Sequence, residues 1–188
     1  MTFPTPNTFY STGGSPPFIP DVETPTNSNE PYLDWLEFIM GQETVPQTIS
    51  TSYGDNEETV PLDYAISVCN MFAQLGAMGT TMIFSSGDGG VGGVQFNSNR
   101  TDCVKFLPIF PASCEFYTFL NEYMLFTRLW LQGPYVTAVG ATTQVGPEVG
   151  ANFSGGGFSN YFKRPPYQNE AVSSYLQNIG NRNSGLFK

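Results

Sequence analysis

Four stretches of the chain constrain its fold more than any other feature. "PQTISTSYG", Pro46 to Gly54, alternates and is rich in β-branched residues, which predicts a strand of roughly six residues ending at Gly54. "VPLDYAISVCNMFAQLGAMG" follows and places Ala65, Val68, Cys69, Phe72 and Leu75 on one helical stripe, with Gly76 and Gly79 as stop signals. "TTMIFSSG", Thr80 to Gly87, is an apolar run suited to a buried strand, and "PYVTAVGATT", Pro134 to Thr143, is another. A strand, a helix and a strand in that order call for a right-handed crossover, hence a parallel sheet covered by helices. Upstream, "EPYLDWLEFIMG" carries Tyr32, Leu33, Trp35, Leu36, Phe38 and Ile39 at near-helical spacing, with Pro31 placed for a first turn. The residues before about Asn29 are rich in Pro, Gly, Ser and Thr and read as an irregular lead.

Length and composition narrow the class. The 188 residues can bury a sizeable core, and 40% apolar with 12% charged content fits one globular domain or a large piece of one. Seven basic against sixteen acidic residues leave a net charge of −9, which repels phosphate backbones and anionic membranes, so nucleic acid is not an expected partner. The start, "MTFPTPNTFYSTGGSPPF", has no basic stretch followed by an apolar one, so the chain as written is expected to carry no secretory signal. Asn99 in "NRT" and Asn152 in "NFS" have the form of glycosylation acceptors, and read equally as plain polar loop. Of three cysteines, Cys69 lies in the apolar helical pattern and is expected as a buried thiol, whereas Cys103 and Cys114 could close a loop disulfide. They lack the paired spacing of a zinc site, and a chain with no histidine is poorly equipped for zinc.

In parallel sheets ligands gather at the carboxyl ends of strands, which is where Ser52-Tyr53-Gly54 and Ser86-Gly87-Asp88 fall. The two loops therefore point at one cleft. Gly87, Gly89 and Gly92 satisfy the dinucleotide pattern G-x-G-x-x-G, but no helix is expected to open at "GGVQFNSNRTDC" to receive a pyrophosphate, so no such cofactor is expected. Asp88, alone among glycines, reads from its motif equally as a solvated turn residue or as a working acid.

"TISTSYGDNEETVP", "IFSSGDGGVGG", "PYVTAVGATT" and "SGGGFSNYFKRPPYQNEAVSSYL", in that order and spacing, resemble the sedolisins, or serine-carboxyl peptidases, and most their fungal tripeptidyl-peptidase branch. The resemblance runs over nearly the whole chain. It implies an α/β, subtilisin-like fold, a parallel sheet flanked by helices, here incomplete at both ends. It also implies serine-type hydrolysis in acid, releasing tripeptides from the amino termini of peptide substrates, by a protein secreted from the cell, with no membrane span. The family's general base is a glutamate rather than a histidine, and a carboxylate base functions where neutral imidazole would be lost. Asp88 matches the family's oxyanion-hole aspartate, with Gly89 standing where many members have serine. In its protonated form a carboxylic acid there donates a hydrogen bond to the developing oxyanion. Ser52, Tyr53 and Gly54 match the strand end that aligns substrate backbone, and Ser86 and Gly87 complete the substrate-binding set.

Two departures limit what carries over. The family's base and its orienting aspartate share one helix in a G-E-A-x-x-D-type motif, and its nucleophile opens a helix in a G-T-S-type turn followed by a calcium site of aspartates and carbonyls. Neither motif occurs in these residues. The chain is accordingly expected to lack nucleophile and base, and to hold no cofactor, calcium belonging to the complete family domain. Its alternative role is a non-catalytic binding or interaction module. Glu57, Glu58 and Asp63 lack the family's flanking residues and read as a solvated helix start. The second departure is "EFYTFLNEYMLFTRLWLQG", Glu115 to Gly133, which intervenes between "FPASC" and "PYVTAVGATT" without a family counterpart. It is shorter than about 20 apolar residues and carries Asn121, Glu122 and Arg128, so it does not read as a membrane span. Two readings stand: a translated retained intron, or a lineage insertion forming an exposed apolar loop.

Overall fold

The computed structural model describes residues 6–21, 24–92, 106–114 and 135–182. Two helices come first in importance. Helix α1, Tyr32–Met40, starts directly after Pro31, whose ring fixes φ at a helix-compatible value. Helix α2, Leu62–Ala77, likewise starts after a proline, Pro61, and carries Asp63 in its first turn, where an acid suits the dipole. Its end is set by Gly79, which has φ +97, a conformation that costs glycine nothing. Strands β1, Thr48–Thr51, and β3, Thr81–Ser85, pair in parallel on either side of α2, with Ile49 opposite Met82 and Thr51 opposite Phe84. Strand β5, Thr137–Val139, adds in parallel on the far side of β3, with Phe84 opposite Ala138, to give the order β1-β3-β5. Two small antiparallel pairs complete the strands: β2, Asp55–Asn56, with β4, Ile109–Phe110, and β6, Thr142–Thr143, with β7, Val149–Gly150. The expected parallel sheet with its crossover helix is present.

The core lies between the helices and the sheet. All five residues of the sequence stripe, Ala65, Val68, Cys69, Phe72 and Leu75, are buried, together with Leu36 and Ile39 of α1 and Met82 and Phe84 of β3. Tyr32 sets its ring edge against Phe72, Phe84 and Phe110, with centroids 6.0, 6.2 and 6.1 Å away, so one aromatic joins α1, α2, β3 and β4.

Four sequence expectations change. Strand β1 ends at Thr51, not Gly54, because the chain turns away to pair Asp55 with Phe110 in the separate β2–β4 ladder. Cys69 is not a free thiol and Cys114 does not close a loop with Cys103. Cys69 and Cys114 form a disulfide with Cα atoms 5.3 Å apart, because the turn after β4 packs on α2. The "PYVTAVGATT" stretch is split, β5 in the parallel sheet and β6 in a hairpin-like pair. A helix that had not been expected, α3, spans Asn169–Ile179. The lead is irregular, as expected, yet it is tied down. Asn29 is buried, its amide nitrogen donates to the carbonyls of Pro17 and Thr59, and its carbonyl accepts from the Thr59 hydroxyl. Glu115 to Gly133, Asn99 and Cys103 lie outside the described residues, as does most of "GGVQFNSNRTDC". Among the described residues no helix is long and apolar enough to cross a membrane.

Candidate functional site

Both predicted site loops leave the carboxyl ends of neighbouring parallel strands, β1 and β3. The first, Ser52–Gly54, exposes Ser52 and Tyr53 while its backbone is held from beneath. The Tyr32 hydroxyl donates to the Tyr53 carbonyl at 3.2 Å, and the Tyr53 hydroxyl donates to the Ser28 carbonyl at 2.6 Å. Burial, reinforced by the charges of Glu30 and Asp55, pushes the Tyr32 phenol far up, so it remains a donor at any ordinary pH.

The second loop, Ser86–Asp88, is pinned by backbone hydrogen bonds. The Ser86 amide donates to the Val139 carbonyl at 3.0 Å, the Gly87 carbonyl accepts from the Gly155 amide at 2.9 Å, and the Gly90 amide donates to the Phe153 carbonyl at 2.7 Å. At Gly155 the two chains touch: a Cβ there would lie 1.9 Å from the Ser86 carbonyl oxygen, so only glycine fits. The Asp88 side chain, at the tip, is exposed to solvent.

What brings the loops together is Ile109 of β4. A Cβ on Gly54 would lie 2.5 Å from its Cγ2, and a Cβ on Gly87 would lie 2.7 Å from its Cγ1. Ile109 is thus wedged between two glycines, one from each loop, and the absence of side chains at both is what admits it. A small cleft of about 240 Å³ opens beside it, lined among others by Ser86, Ile109, Ser113, Gly157 and Ser159. A larger groove, about 920 Å³, runs along the open edge of β1 past Trp35 to Ser52 and Tyr53, but does not reach Ser86–Asp88.

Glu57 corrects a sequence expectation. Rather than opening a helix in solvent, it is 1% exposed, because the short 3-10 turn after β2 points it inward. Its Oε1 accepts from the Ser159 hydroxyl and its Oε2 from the Asn160 amide at 2.7 Å. Burial pushes its carboxyl up, opposed by the hydrogen bonds from Ser159, Ser113 and the turn amides. Ser113 sits close enough to act on that carboxyl, yet its buried oxygen makes no hydrogen bond of good geometry. Asp55 is pushed up too, by burial, against the 2.9 Å hydrogen bond it accepts from Ser28 and with the charges of Glu30 and Asp21.

Ser52, Tyr53, Gly54, Ser86 and Gly87 are therefore brought to one end of the sheet, with Asp88 at its rim. Sequence reasoning missed Ile109, Gly155, Glu57 and Ser159. A glycine-rich "SGGG" run was the signal for Gly155; nothing local marked the others. Among the described residues no group of three or more His, Cys, Asp or Glu could hold a metal ion.

No protein-family model matches the chain. Curated sequences do. It is 45% identical over 184 residues to the probable tripeptidyl-peptidase SED3 of Arthroderma benhamiae, covering 95% of this chain and 28% of that protein. It is 42% identical over 183 residues to the tripeptidyl-peptidase sed4 of Aspergillus fumigatus, again covering 95% of this chain and 28% of the relative. Among solved structures, a Pseudomonas sedolisin, a serine-carboxyl proteinase complexed with pseudo-iodotyrostatin, aligns at TM-score 0.47 and 23% identity, over 76% of this chain and 36% of that one. The sequence relatives are fungal tripeptidyl-peptidases, and the likeness to them runs over almost the whole of this chain. The chain spans 28% of the length of the relatives just named.

Proposed function

We propose that this chain supplies the oxyanion side and one substrate-aligning edge of a serine-carboxyl peptidase site that releases tripeptides from peptide amino termini in acid, outside the cell. The carrying observation is the convergence of Ser52–Gly54 and Ser86–Asp88 on Ile109, at the carboxyl ends of two adjacent parallel strands. In this reading the backbone of Ser52–Gly54 pairs with an extended peptide as an added strand, giving register without side-chain demands. The scissile carbonyl then falls toward the second loop, where a protonated Asp88 donates to the oxygen as negative charge develops on it. Sequence likeness to tripeptidyl-peptidases supports the peptide class.

No residue here is assigned as nucleophile or base. Glu57 is unsuited to the latter, since both its oxygens are engaged by Ser159 and Asn160 inside the protein. The 188-residue chain alone is therefore expected to hydrolyse nothing. The test is an assay of the purified chain near pH 4, where carboxyls share protons, on peptides with free amino termini, beside Asp88→Ala. Turnover that vanishes in Asp88→Ala would show a complete site, and would direct attention to Ser85, Ser86 and Ser154. In a longer chain that joins these residues to the family's acid helix and serine turn, Asp88→Ala should lower kcat by about two to three orders of magnitude, the usual cost of one oxyanion donor. An unchanged rate there would reduce Asp88 to a turn residue.

One observation favours a second reading, a non-catalytic interaction module. All three residues of β5 are exposed, and α3 buries none of its residues. A strand and a helix left open in this way are suited to pairing with another polypeptide.

A further inference from the structure

We propose that Glu57 is a positioning residue whose carboxylate, by gripping Ser159 and Asn160, holds the 153–160 segment against the Gly87–Gly90 loop. The inference rests on the functional reading only in naming Asp88 as the group that benefits.

The connection runs through contacts already described. Glu57 sits 102 residues before Ser159 and 103 before Asn160, so its two hydrogen bonds join segments remote in sequence. Its own backbone is fixed, because its amide donates to the Pro108 carbonyl at 3.0 Å, one residue from the Ile109 wedge. From Ser159 the chain runs back through Gly157, where a Cβ would meet the backbone of Pro108 at 3.5 Å, to Gly155 on the Gly87 carbonyl and Phe153 on the Gly90 amide. The Ser159 hydroxyl also accepts from the amides of Tyr161 and Phe162, at 3.1 and 2.9 Å, so the far side of the grip is a closed turn. Residues 154–157 are Ser-Gly-Gly-Gly, which have little stiffness of their own. A flexible glycine run keeps a set position only if both ends are tied. The Gly87–Gly90 contacts tie one end, and Glu57 ties the other. A buried carboxylate is costly unless its oxygens are occupied, and here Ser159 and Asn160 occupy both.

Amide hydrogen exchange on the full chain tests this without substrate, so its outcome is separate from whether Asp88 acts in catalysis. In Glu57→Ala the amides of Gly90 and Gly155 should exchange about tenfold faster or more, the loss expected for one charge-assisted hydrogen bond, while the amides of β3 keep their protection. Glu57→Gln, whose amide oxygen can still accept from Asn160 or Ser159, should restore most of the protection. Equal loss in β3 and in the loop would make Glu57 a general stabiliser, and unchanged exchange at Gly90 and Gly155 would refute the link; either overturns the proposal. If Glu57→Ala does not fold, Ser159→Ala removes one partner while leaving the carboxylate in place, and the same two comparisons decide.

Discussion

Asp88 and Glu57 are opposite placements of one functional group, the carboxyl. Asp88 stands in solvent at a loop tip; Glu57 is inside, with two donors turned toward it. The difference has a consequence for pH. Burial places the folded-state carboxyls of Glu57 and Asp55 above their ordinary range. Over the pH interval between the unfolded and folded values, the folded chain then holds more protons than the unfolded one. Stability contributed by these groups is therefore full in acid and falls as pH rises through that interval. Thermal melting should show a higher midpoint near pH 4 than near pH 7, and Glu57→Gln, which cannot ionise, should flatten that slope. Parallel slopes in the two proteins would mean that Glu57 does not titrate as its burial requires. None of this was legible from "DNEETVP", where two glutamates before a helix look like dipole partners. Burial of Glu57 depends on Ser159, and no local pattern carries information about a contact 102 residues away.

Among the elements, α2 was the most legible and the disulfide the least. The stripe from Ala65 to Leu75 has the helical period and ends at glycines, so periodicity alone placed its buried face. Helix α3 was readable by the same rule, since Val172, Tyr175, Leu176 and Ile179 follow i, i+3, i+4, i+7 and Gly180 terminates it. Cysteine pairing is different in kind, because spacing along the chain says nothing about proximity across the core. The Cys69–Cys114 bridge closes a loop with a separation of 45 residues and ties α2 to the turn after β4. Constraining an unfolded loop of that size contributes about 4 kcal/mol in the chain-entropy account. Denaturant unfolding of Cys114→Ala should show a loss of that order, and peptide mapping of the unreduced chain should yield Cys69 joined to Cys114. A Cys103–Cys114 peptide would contradict the arrangement.

At the scale of the whole molecule, core and surface are unequally finished. The side of the sheet facing α1 and α2 is closely packed, whereas β5 is exposed and Val139, Val149, Phe153, Tyr175 and Leu176 all stand in solvent. An open strand edge beside scattered apolar side chains promotes association. The isolated chain should accordingly run larger than a monomer in size-exclusion chromatography with light scattering; a monomer that unfolds cooperatively would overturn that expectation. A parallel sheet with two loops leaving the carboxyl ends of its strands was foreseeable from strand–helix–strand alone; its order, β1-β3-β5, was not. The Ile109 wedge was not, since it comes from a separate two-stranded ladder. The long reach of the Glu57 contact also bears on how the protein is born. A ribosome adding about 5–20 residues per second delivers Ser159 some 5–20 s after Glu57, given their separation of 102. For that interval β1, α2 and β3 can assemble on the emerging chain, but the loop bearing Asp88 still lacks its contacts with Phe153 and Gly155 for most of it. The nascent chain can complete its hydrophobic half first; the rim that bears Asp88 is left among the last parts to set.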